Sequence, residues 1–439
     1  MNGPVSLLEL PTEILDAILS EVRSSRSTLK ALTQTCHRLH AIAAPYLLGL
    51  VVIRSPQSMH RFLETSARSP RLVSLIREVQ VHYHEFDEDT DDSPEDIEPV
   101  LSKLVNLESL VFRSSWFSWR KIGKMQLLTH PQETLPALRS VNLSLDYGYD
   151  WTFSVDSYGS LFHHPSLERL TIAGAHFQLN IRNERGAALR STRLEELTLL
   201  NCDLHAWDIE DMLRYPRDLK HFTIKGQEER TDLGIFCDLD RRPYIDALRA
   251  QSSSLETLDL DIQYEHTKES IDLSHFSALQ SLTISPRMVI GDIEQYWLRE
   301  ASTLEWAKLL PTNLQHLTFR NDCGAFPILQ MYEAVRDGCL KLRSLTCQIA
   351  SNLEEDGSHV CSEWDLGAID PHGVLVFRSP DELMSELSPD GVSYSQGFKA
   401  LDVKFSIVEV PRTEMLPGYD SCPCPCWKYK HRHYNDSNW

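Results

Sequence analysis

A leucine, a gap of two residues and then an apolar-polar-apolar alternation recur nine times between Leu107 and Cys347. The fullest copy is "LEELTLLNCDL", in which Leu194, Leu197, Leu199, Cys202 and Leu204 complete the pattern L-x-x-L-x-L-x-x-C-x-L. Shorter copies are Leu107/Leu110/Phe112, Leu138/Val141/Leu143, Leu167/Leu170/Ile172, Leu219/Phe222/Ile224, Leu255/Leu258/Leu260, Leu279/Leu282/Ile284, Leu314/Leu317/Phe319 and Leu342/Leu345/Cys347. Ile76/Val79/Val81 and Phe398/Leu401/Val403 are weaker outer copies. A period of two predicts a short strand with one buried face, and the leading leucine fills the bend that enters it. One such unit cannot bury its face alone. Units stacked in register bury it together, which predicts a parallel sheet with helices or loops between the strands. The leading leucines are spaced 31, 29, 27, 25, 36, 24, 35 and 28 residues apart, so the array is irregular.

The first 50 residues follow a helical period instead. In "LELPTEILDAILSEV", Pro11 suits the first helical position, where its missing N–H costs nothing, and Glu13 complements the helix dipole. Ile14, Leu15, Ile18, Leu19 and Val22 form a stripe wide enough to face two neighbours, one inside the domain and one outside it. Leu29, Leu32, Cys36 and Leu39 predict one second helix, N-capped by Ser27. Pro45 is expected to break the apolar run that follows, after which "LVVI" reads as a strand. A unit this small has marginal burial by itself, which makes an external partner helix plausible.

The stretch "LPTEILDAILSEV...STLKALTQTCHRLHAIAAPYL" resembles an F-box. Leu10, Pro11, Glu13, Ile14, Ile18, Leu19, Val22, Leu29, Leu32, Cys36 and Arg38 fall on matching positions, while Leu39 stands where many family members carry Trp. An F-box ahead of irregular leucine-rich repeats resembles the F-box/leucine-rich-repeat proteins, particularly the divergent fungal kind. The resemblance implies an α/β fold: a three-helix F-box over residues 1–50, then a leucine-rich-repeat horseshoe with a concave parallel sheet over 51–412. It further implies that Leu10, Pro11, Ile14, Ile18, Leu32 and Cys36 contact a Skp-type adaptor and through it a cullin scaffold. The repeats would then hold an unidentified protein substrate for ubiquitination. The alternative is an interaction scaffold of the same build without ubiquitin transfer.

Composition narrows the partners. With 43 basic and 63 acidic residues the formal charge is −20, which repels phosphate backbones and anionic lipid. Neither nucleic acid nor membrane is expected as a partner. The start of the chain lacks a signal-peptide pattern, and "AIAAPYLLGLVVI" is too short to span a bilayer, so a soluble protein of the cytoplasm or nucleus is expected. The segment 84–99 carries nine carboxylates and two prolines and reads as a solvated loop; 351–372 is a second polar insertion.

Candidate chemistry is sparse. The sequence holds no nucleophile elbow, phosphate-binding glycine loop or His-Glu-x-x-His helix, so a non-enzyme without a cofactor is expected. In the tail 413–439, Cys422, Cys424, Cys426, His431 and His433 are soft or borderline ligands close together. Their single-residue cysteine spacing is shorter than structural zinc prefers, and prolines stiffen it, so the tail reads as loosely packed and not as a metal site. Trp116 and Trp119, in "FRSSWFSWRK", are candidates for packing under the loop or, as the alternative, for substrate contact.

Overall fold

The computed structural model describes residues 7–22, 25–82, 98–114, 135–145, 152–154, 159–178, 189–200, 202, 204, 206–225, 242–261, 270–290, 306–320, 325–350 and 392–410. The chain divides into two compact units: Met1–Leu194 with Tyr215–Arg217, and Glu195–Arg214 with Asp218–Trp439. Both are α/β, with helices joined to parallel strands.

The first unit begins with three helices, α1 (Thr12–Glu21), α2 (Arg26–Thr33) and α3 (His37–Gly49). Leu19, Leu29 and Ala43 are their buried centre, with Val22, Leu32, Ile42, Tyr46 and Leu47 packed around it. Four local expectations are corrected. The N-cap of α2 is Ser25, not Ser27, and its hydroxyl lies 2.7 Å from that of Thr28. The apolar stripe Leu29/Leu32/Cys36/Leu39 does not lie on one helix: α2 stops at Thr33, and Cys36 is the N-cap of α3, its Sγ accepting the Leu39 N–H. Pro45 does not break the run, because it sits inside α3. Tertiary contacts outweigh the lost helical hydrogen bond there: Tyr46, next to the proline, packs on the centre and donates its hydroxyl to Asp16 Oδ1 at 2.9 Å. Pro11 is likewise the N-cap of α1, one position before the first helical residue.

The chain passes from α3 directly into β1 (Leu50–Ile53), and the capped helix α4 (Pro56–Arg68) follows. Then come β2 (Glu78–His82), β3 (Ser109–Ser114), β4 (Ser140–Leu145), β5 (Thr152–Ser154), β6 (Arg169–Ala173) and β7 (His176–Gln178). β1, β2, β3, β4 and β6 pair in parallel in that order, and β5 pairs with β7. In the second unit β8 (Glu196–Leu200), β9 (His221–Lys225), β10 (Thr257–Leu260), β11 (Ser281–Ile284), β12 (His316–Phe319), β13 (Ser344–Ala350) and β14 (Lys404–Val410) also pair in parallel, each with the next.

The register aligns the sequence phrases residue for residue. Val79, Leu110, Val141 and Leu170 are successive partners in the first unit; Leu197, Phe222, Leu258, Leu282, Leu317 and Leu345 are successive partners in the second. All of these are buried, as are the nine leading leucines. Within each unit the residue after a leading leucine joins one repeat to the next through its carbonyl. Glu108 O accepts from Arg139 and Ser140, Glu256 O from Gln280 and Ser281, and Gln315 O from Arg343 and Ser344. Polar residues just before the leading leucine repeat the link: Asn106 donates to Ser74 O and Asn313 to Ser277 O. The last copy is corrected. Phe405 and Ile407 pair with Leu345 and Cys347, whereas Phe398 lies in the helix Tyr394–Ala400 and Leu401 caps it.

Replacing Leu282, fully buried on β11 between two partner strands, by Ala is expected to cost about 2–5 kcal/mol in urea-monitored unfolding. Thr283→Ala, on the opposite face, is expected to cost under about 1 kcal/mol.

Candidate functional site

Helix α1 carries two apolar faces. Leu15 and Leu19 are 1% and 3% exposed, Leu19 in the buried centre of the helical unit, whereas Ile14 and Ile18 are 48% and 41% exposed. The exposed pair is spaced i, i+4 and therefore lies on one side of the helix. Leu7 and Leu8, in the 3-10 turn Leu7–Glu9 that leads to α1, are also exposed, as is Pro11. Large apolar side chains left in water at the start of one short helix are a feature of recognition surfaces.

This surface is held in place from α3. Arg38 donates through Nη1 to Leu8 O, through Nη2 to Leu10 O at 2.7 Å, and reaches Thr12 Oγ1 at 3.4 Å. A guanidinium presents its donors in a rigid planar fork, which can hold two carbonyls and a hydroxyl at once. Arg38 thus fixes the approach to α1, while the Tyr46 bond to Asp16 fixes its middle.

The six residues marked by the F-box resemblance divide into two kinds. Pro11, Ile14 and Ile18 are exposed. Leu10, Leu32 and Cys36 are half-buried and have internal roles: Leu10 O accepts from Arg38, Leu32 packs on the helical centre, and Cys36 caps α3. Leu7 and Leu8 were missed by pattern reasoning because neither helical stripe includes them. Their signal was two adjacent leucines ahead of the Leu-Pro step. Trp116, Trp119, Cys422, Cys424, Cys426, His431 and His433, and the segments 84–97 and 351–372, lie outside the described residues. Among the described residues, no group of three or more His, Cys, Asp or Glu side chains could hold a metal ion. No described helix is long and apolar enough to cross a membrane.

A second constellation occupies the sheet face opposite the core in the second unit. Because Leu258 and Leu260 are buried, Asp259 and Asp261 project to the other side, as do Lys225 beyond Ile224, Arg320 beyond Phe319 and Gln348 beyond Cys347. Lys225 Nζ lies 3.0 Å from Asp259 Oδ2, and Arg320 Nη2 lies 3.0 Å from Asp259 Oδ1. Arg320 Nη1 approaches Asp261 Oδ2 at 3.4 Å, close enough for charge attraction but without hydrogen-bond alignment, so both atoms are buried with no hydrogen bond. Burial pushes the Asp261 carboxyl up from its ordinary value, and Arg320 only partly offsets it. The pattern search passed over this cluster because it reads the inward positions of each phrase. The signal was the acid at each outward position of "LDLDI".

The chain matches no protein-family model and no curated protein.

A carboxyl raised in the folded state contributes stability below the unfolded value near 3.8 and loses it as the pH rises through its own elevated value. Asp261→Asn is therefore expected to unfold at the same or a higher temperature than the wild type at pH 7. The gap should close as the pH falls toward 4, followed by circular dichroism melts.

Proposed function

We propose that this chain is a non-catalytic target-binding subunit of an SCF-type cullin-RING ubiquitin ligase. The N-terminal helices bind a Skp-type adaptor, and the stacked leucine-rich repeats bind the protein to be modified. The observation that carries this reading is the division of α1: Leu15 and Leu19 are buried while Ile14 and Ile18 are exposed, as are Pro11, Leu7 and Leu8. A helix that only covered the end of a repeat array would gain nothing from a second apolar face, since exposed leucines and isoleucines cost solubility. A helix that docks on a partner needs that face. Such a receptor needs no reacting group of its own, because holding target and ligase together raises their effective concentration. The chain's sparse candidate chemistry is in keeping with this role.

The sheet supports the second half of the reading. Its outward positions in the second unit form a half-exposed row, Thr198, Thr223, Asp259, Thr283, Thr318, Thr346 and Ser406, each the strand partner of the next. Short hydroxyl side chains on a rigid surface offer donors and acceptors at little entropic cost, which suits binding to a protein segment.

Purified Skp-type adaptor should bind the wild-type chain in calorimetry. Ile14→Ala/Ile18→Ala should weaken binding by about 2 kcal/mol or more, with unfolding free energy changed by less than about 1 kcal/mol because both side chains are exposed. No binding by the wild type overturns the adaptor reading.

A further inference from the structure

We propose that Arg320 is a clamp between repeats that do not touch, joining β12 to β10 across the outward face of the intervening β11 so that the three strands open as one block. The inference concerns how the sheet moves, and it needs neither half of the ligase reading.

In a stack of repeats each repeat ordinarily contacts only its neighbours, so a local opening can stop at any junction. The ion pairs between repeats follow that rule among the described residues, with one exception. Arg77 with Glu108, Arg139 with Glu168, Lys220 with Glu195 and Lys225 with Asp259 each join adjacent repeats. Arg320, which directly follows β12, reaches past β11 to Asp259 and Asp261. The register shows the span. Leu260 pairs with Ile284 and Ile284 with Phe319, so Ser285 stands between Asp261 and Arg320 in the next row. The ladder continues into that row: Asp261 N–H donates to Ile224 O at 2.8 Å and Arg320 N–H to Ile284 O at 3.1 Å. Arg320 Nη2 then donates to Asp259 Oδ2 at 3.2 Å, and Nη1 lies 3.4 Å from Asp261 Oδ2. Its Nε donates to Gln348 Oε1 on β13 at 3.4 Å, which steadies the guanidinium from the other side. One planar fork thus serves three side chains on two other strands.

The cluster is closed and balanced, Lys225 and Arg320 against Asp259 and Asp261, and the Arg320 side chain is only 8% exposed. Desolvation of these charges offsets most of what their attraction gains, so the clamp adds little to global stability. Its effect is on which strands open together. Opening β12 alone would leave Asp261 without its nearest countercharge, and opening β10 alone would leave Arg320 without both carboxylates, each in a place largely closed to water. An uncompensated buried charge is costly, so each separate opening is disfavoured relative to the joint one.

The test is native-state hydrogen exchange of the full chain, followed by mass spectrometry on peptides from β10 and β12. Leu317→Ala loosens β12 from within, since Leu317 is fully buried there. In the wild-type background this change should raise exchange in β10 by about tenfold, transmitted through Arg320. In an Arg320→Met background, where the charge and the fork are gone, the same change should raise β10 exchange by about threefold or less, while β12 still responds. Lys225→Met removes a link between adjacent strands of the same cluster and should leave the β10 response within about twofold of the wild-type one. Equal β10 responses in the wild-type and Arg320→Met backgrounds would overturn the clamp. Should Arg320→Met fail to fold, Arg320→Lys decides the matter, because it keeps the charge and loses the fork: a reduced β10 response supports the clamp and a full one overturns it. Adaptor and target binding play no part in this readout, so failure of the ligase reading leaves the outcome interpretable.

Discussion

A parallel strand with one apolar face can be buried only by neighbours whose apolar faces fall at the same height, and every other feature of this protein depends on that match. Leu258 pairs with Phe222 on one side and Leu282 on the other, and the same step repeats through both units. A slip of one residue would send each such leucine to the polar face and bring residues such as Asp259 and Thr283 inward. The carbonyl after most leading leucines, such as that of Glu256, accepts from two successive N–H groups of the next repeat and fixes the height before the strand begins. Charges at the same position assist from outside: Lys220 pairs with Glu195 at 3.0 Å, and Arg77 with Glu108. These pairs are largely exposed, so their contribution is to register more than to stability.

Because the inward positions are so strictly apolar, the outward ones are free to vary. Threonine and serine supply most of the outward row in the second unit, which keeps β propensity while adding hydrogen-bonding groups. Asp259, Asp261, Arg320 and Lys225 depart from it. Burying such charges is costly, and a well-packed apolar set would serve stability as well or better.

The helical unit follows the same logic at smaller scale. Leu19, Leu29 and Ala43 form the buried centre of three short helices, and Arg38 and Tyr46 lock α1 in place through polar contacts at its start and middle. Ile14 and Ile18 are left over from that packing.

The nine inner repeat strands and their parallel stacking could be read from the sequence, since a period of two with a leading leucine favours that solution when repeated. The two faces of α1 could also be read, because five apolar residues on a ten-residue helix exceed what one neighbour can bury. Helix ends were less legible: Pro45 obeys its neighbours' packing over its own preference, and Ser25 and Cys36 cap helices that local propensity placed elsewhere. The last repeat was misplaced because Phe398 mimics the leading pattern while lying on a helix. What only the tertiary structure decided is the meeting of Lys225, Asp259, Asp261 and Arg320, which are drawn from three strands and nearly a hundred residues of chain. Their sequence separation hides a proximity that arises solely from register, because parallel stacking brings the same position of each unit to the same edge.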